Sequence, residues 1–122
     1  MEKTYPCPAC GFLQFSGPPG TYEICQMCGW EDDHVQLANP RMRGGANSES
    51  LAEAQQAALQ RYPRVMREFE GEARDSSWRP LTDAEADVAP EAPRTGRQYF
   101  LAACSKDPTY YWRKKNPDKD PV

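Results

Sequence analysis

A small α+β fold is predicted: an N-terminal β-hairpin ribbon carrying two C-x-x-C-G turns, packed with one or two helices. Three observations predict it. The five cysteines include two C-x-x-C pairs near the N-terminus. A helix-forming run with a start signal begins at Ser50. Leu, Ile, Val and Phe together make only 15 of the 122 residues, so a conventional core needs help. The length suits one domain better than two.

The cysteines supply that help. Cys7-Pro8-Ala9-Cys10-Gly11 and Cys25-Gln26-Met27-Cys28-Gly29 repeat one pattern. Two residues between thiols let a tight turn aim both sulfurs inward, and the glycine allows positive φ as the chain reverses. Two such knuckles face to face complete a tetrahedron. Cys7, Cys10, Cys25 and Cys28 are therefore expected to hold one structural Zn²⁺. Iron of the rubredoxin type uses the same ligands and is the weaker reading. Disulfides call for an oxidising compartment. A thioredoxin-like redox pair calls for a cysteine pair opening a helix, which Pro6, Pro8 and Gly11 oppose. Four thiolates leave no open coordination position, so the metal is expected to be structural rather than catalytic.

His34, the only histidine, reads as a surface residue just outside the ribbon. Cys104 stands in the apolar run Tyr99-Phe100-Leu101-Ala102-Ala103 and reads as a small hydrophobe. No catalytic residue is assigned. The chain shows no Ser/His/Asp set, phosphate loop or open metal site, and an enzyme is not expected.

The elements follow in order. Residues 1–36 form the ribbon: Phe12-Leu13-Gln14-Phe15, the turn Ser16-Gly17-Pro18-Pro19-Gly20, then Thr21-Tyr22-Glu23-Ile24 as the returning strand. Trp30 is expected against the knuckles. Residues 37–47 read as irregular. Ser50 with Glu53 makes a capping box that opens a helix over 51–62, with Leu51, Ala54, Ala58, Leu59 and Tyr62 on one face. Pro63 breaks or kinks it, or starts a second helix. Val65, Met66 and Phe69 form a further apolar stripe. Thr82 with Glu85 is a second capping box opening a short acidic helix. Residues 98–104 read as a last strand or helix, and 116–122 as a frayed tail. Residues 37–122 are expected to form one compact domain with the ribbon.

Charge is distributed unevenly. The whole chain carries −3, but residues 1–36 hold five acids against one lysine. That excludes a protein coating nucleic acid by bulk charge. Glu31-Asp32-Asp33, with Trp30 beside it as a candidate aromatic anchor, reads as an exposed acidic strip, either a solvated turn or a patch that docks a basic protein. The other candidate interface is Tyr110, Tyr111, Trp112 and Arg113, continuing into Lys114 and Lys115. Those aromatics either fill the core or serve a partner, as protein hot spot or nucleic-acid stacking platform. No apolar run of ~18 residues suggests a membrane span. The N-terminal residues lack the apolar segment of a secretory signal, so a cytoplasmic protein is expected.

The strings Cys7-Pro8-Ala9-Cys10-Gly11, Tyr22-Glu23-Ile24-Cys25 and Cys28-Gly29-Trp30-Glu31-Asp32-Asp33 resemble the cysteine-rich CPCC family of small bacterial proteins. Gly45-Ala46-Asn47-Ser48 and Ser50-Leu51-Ala52-Glu53-Ala54 extend the resemblance over about residues 5–60. Ala9 departs from it, standing where the name-giving motif has a cysteine. The resemblance implies an association with bacterial toxin genes and an immunity role. The expected function is thus a zinc-stabilised module that binds a protein, such as a basic toxin. A nucleic-acid-binding regulator using the C-terminal aromatic-basic cluster is the alternative.

Overall fold

The computed structural model describes residues 3–87 and 110–113. In chain order the elements are β1 (Tyr5–Pro6), β2 (Leu13–Phe15), α1 (His34–Ala38), α2 (Leu51–Arg61), β3 (Glu68–Phe69), β4 (Glu72–Ala73), α3 (Asp83–Ala86) and a 3₁₀ turn at Tyr111–Arg113. The architecture is the small α+β type that the cysteine pattern and capping signals predict.

The ribbon is built differently from the single hairpin expected over 12–24. β2 pairs antiparallel with β1, not with the segment Thr21–Ile24. Ile24 instead bridges to Glu31. Each knuckle therefore sits at the tip of its own short hairpin. Local hydrogen bonds decide this, because a knuckle turn reverses the chain and brings its own flanks together. The Pro18-Pro19 turn then only links the two hairpins.

Helix α2 starts where its cap says. The Ser50 hydroxyl accepts from the Glu53 amide and the Glu53 carboxylate accepts from the Ser50 amide. It ends at Arg61, with Tyr62 as C-cap before Pro63. Leu51, Ala58 and Tyr62 are buried as expected, and Ala54 packs partly on the core. Leu59 is only half-buried; the buried place goes to Gln55. Gln55 donates to the Pro8 carbonyl at 3.1 Å and the Tyr111 hydroxyl at 2.9 Å, and accepts from the Leu81 amide at 2.7 Å. It thus ties the first knuckle, α2 and the C-terminal segments together. Its donors and its acceptor are both used, so burying the amide costs little.

Helix α1 lies partly in the segment expected to be irregular. Asp33 is its N-cap, accepting from the amides of Val35 and Gln36. The following loop is held by buried polar groups rather than by a ladder. Gln36 donates to the carbonyls of Met42, Asn47 and Glu49 and accepts from the Asn47 amide. Asn47 in turn accepts from the Glu31 amide and donates to its carbonyl, both at 2.9 Å. Every group is paired, so the loop is locked onto the second hairpin.

After Pro63 the expected apolar stripe separates. Val65 is 86% exposed, while Met66 packs on the core and Phe69 meets the Tyr62 ring edge-on. Residues 68–73 form the small β3–β4 hairpin. Thr82 caps α3 with the Glu85 box as anticipated. The readings for 98–104, Cys104 and 116–122 lie outside the described residues. Among the described residues no helix is long and apolar enough to cross a membrane.

Candidate metal centre

The two knuckles use the same hydrogen bonds. The Cys7 amide donates to the Phe12 carbonyl and the Gly11 amide to Cys7. In the second, Cys25 donates to Trp30 and Gly29 to Cys25. Gly11 and Gly29 have φ of 83° and 84°, the left-handed turn that glycine supplies cheaply. At Gly11 the hydrogen is needed twice over: a Cβ there would lie 2.5 Å from the Trp78 ring.

The sulfurs of Cys7, Cys10, Cys25 and Cys28 all lie within 4.8 Å of one another. Cys7 and Cys28 are 3.6 Å apart, as are Cys10 and Cys25. A tetrahedron with metal–sulfur bonds of ~2.3 Å has sulfur–sulfur edges of roughly 3.8 Å. The donor set therefore fits one tetrahedral ion of the zinc type. Burial and the neighbouring thiols push the Cys7 and Cys10 thiols up, while thiols turned toward Cys25 hold it well down. Crowded thiols of this kind share few charges until a cation joins them. The Cys25 sulfur also accepts from the amides of Met27 and Cys28.

Arg74 backs the first knuckle and no sequence signal pointed to it. It is only 5% exposed. Its guanidinium donates to the carbonyls of Cys10, Tyr62, Pro63 and Met66. It also lies between the rings of Phe12 and Trp78, 4.8 and 4.9 Å from their centroids. Burial lowers its pKa, and the charge of Cys10 opposes that. Arginine stays protonated even so, and a divalent ion held by four thiolates would carry a formal −2 charge that Arg74 would partly balance.

The proposed acidic strip is not a surface strip. Asp32 is 1% exposed and Asp33 4%. Asp32 accepts from the Thr21 amide and hydroxyl, at 3.0 and 2.7 Å, holding the return of the second hairpin. Asp33 caps α1 and accepts from the Ala46 amide. Both carboxylates face backbone donors rather than solvent, which composition cannot reveal. Glu31 stays half-exposed, and Trp30 is buried in the core as expected. At 1% exposed, Trp30 offers no surface to a partner.

The C-terminal cluster is likewise largely core. Tyr110 and Tyr111 are buried and Trp112 is half-buried against the core. Tyr110 stacks on Trp112 at 4.6 Å. The Tyr111 hydroxyl donates to the Arg79 carbonyl and accepts from Gln55. Burial raises the Tyr111 pKa. Arg113 ends the 3₁₀ turn. His34 opens α1 half-buried, its ring edge-on to Tyr22, and is not among the clustered ligands.

Fold and site together define a small ribbon protein with a closed four-cysteine centre able to take a metal ion. No curated protein matches the chain. The Cysteine-rich CPCC family model matches residues 5–77, and the chain belongs to that family. The match runs past the ribbon to include Arg74.

Proposed function

We propose that the chain is a non-enzymatic, zinc-stabilised protein-binding module of the cytoplasm, acting as a bacterial immunity protein that neutralises a cognate toxin. The observation that carries the zinc assignment is the four-sulfur cluster with near-tetrahedral edges and three fully buried members. Four thiolates complete the coordination sphere, which suits a structural ion. The immunity role rests on the family resemblance. The reading as a nucleic-acid regulator loses support, because Tyr110 and Tyr111 are in the core rather than free to stack bases. A basic toxin likewise loses its strongest motive once Asp32 and Asp33 turn inward.

Metal analysis of untagged protein should find one zinc per chain, and chelation should unfold it, since structural zinc contributes ~10–16 kcal/mol of apparent binding energy coupled to folding. A well-folded metal-free protein would sink the zinc assignment. Affinity purification from the native host should then yield a stoichiometric protein whose toxicity the chain suppresses. Recovery of nucleic acid alone would reverse the reading.

A further inference from the structure

The four cysteines are unequal. Cys7, Cys10 and Cys25 are at most 1% exposed, whereas Cys28 is only half-buried. Cys28 opens on a groove of about 340 Å³ along α2, walled by Glu49, Glu53, Ala54, Ala57 and Arg61. Small alanine side chains line the groove beside Cys28. Cys25 accepts two amide hydrogen bonds, which draw charge from its sulfur. Among the described residues no N–H reaches the Cys28 sulfur.

We propose that Cys28 is the oxidative modification site of the centre, attacked through this groove by small peroxides, with Cys7 as the resolving thiolate. The inference rests on the zinc-bound reading above. The Cys28 thiolate attacks a peroxide oxygen: an S–O bond forms, the O–O bond breaks, and hydroxide leaves. The Cys7 thiolate then attacks the Cys28 sulfur: an S–S bond forms, the S–O bond breaks, and a second hydroxide leaves. Two thiolates lose two electrons, one peroxide gains them, and two ligands of the ion are gone. The geometry contains its own control. Cys10 and Cys25 are also 3.6 Å apart, so proximity does not distinguish the two pairs. Access does, because Cys28 alone of the four cysteines lines the groove, and Cys7 is its near partner.

The test uses the full chain carrying Cys104→Ala, loaded with zinc and treated with limiting hydrogen peroxide. Zinc release is followed with a chelating dye and disulfides are mapped by mass spectrometry. A Cys7–Cys28 disulfide formed in step with zinc release is expected. Cys28→His keeps a metal ligand without the thiolate and should slow release by about tenfold or more. Ala57→Leu keeps all four thiolates, narrows the groove and should also slow it. If Cys28→His fails to hold zinc, Ala57→Leu decides. A dominant Cys10–Cys25 disulfide, or release from Ala57→Leu as fast as from the parent, overturns the proposal. Protein that takes up no zinc overturns the zinc assignment itself.

Discussion

Arg74 donates from Nε to the carbonyl of Cys10 at 2.8 Å, joining residues 64 positions apart. The same guanidinium takes the carbonyls of Tyr62, Pro63 and Met66, where α2 ends. One side chain thus caps a helix, backs a knuckle and sets a positive charge beside the thiolates.

Arg74→Ala should cost about 3 kcal/mol or more, since it strands several carbonyls with the packing around Phe12 and Trp78. Arg74→Lys should recover little, because an ammonium cannot reproduce the planar fork. Urea unfolding at fixed free zinc measures both. A lysine variant as stable as the parent would show that charge alone matters.

Asp33→Ala should cost about 2 kcal/mol, combining a lost N-cap with an orphaned Ala46 amide. Asp33→Asn should restore the cap at one oxygen and leave the Ala46 amide without an acceptor. Denaturant midpoints order the three proteins. Indifference to Asp33→Ala would return this residue to the status of a solvated surface charge.

Asp32 should behave in the opposite sense. Burial raises its pKa above the ordinary carboxylate value. The folded state therefore holds the proton more tightly than the unfolded chain, and stability falls as pH rises between the two values. Asp32→Asn keeps an oxygen for Thr21 and should match or exceed the parent at pH ~7, its advantage shrinking toward pH ~4. The difference between the two proteins, measured across that range, isolates this group from the thiolates. An advantage that grows on acidification would refute the assignment.

Tyr111→Phe removes the hydroxyl between Gln55 and the Arg79 carbonyl and should cost about 1–2 kcal/mol. Thermal melts check it. A neutral result would mean that the C-terminal turn contributes little to the core.

How much was legible depended on whether a residue's role is local. Cysteine spacing, the Ser50–Glu53 and Thr82–Glu85 boxes and the stop at Pro63 are set by neighbours in the chain, and each lies where its pattern places it. Asp33 was legible in principle as an N-cap before His34, but a five-residue helix shows no periodicity to support it. Its charge was counted instead, and counting cannot see which amides a carboxylate faces. Gln36, Asn47, Gln55 and Arg74 were illegible for another reason. Each is a polar residue buried because distant backbone groups satisfy it, and no local pattern records that. The pairing of β2 with β1 was missed because turn residues at 16–20 looked stronger than the reversal already present in each knuckle.

Chain order also sets an order of assembly. Cys7 and Cys28 lie 21 residues apart, while Arg74 reaches back 64 to Cys10. Closing the longer loop costs only about 1 kcal/mol more in chain entropy, but it must await residues synthesised later. The four thiols of a nascent ribbon can therefore gather before Arg74 has left the ribosome. Any ion the four thiols take at that stage would be taken before the Arg74 hydrogen bond to the Cys10 carbonyl can form.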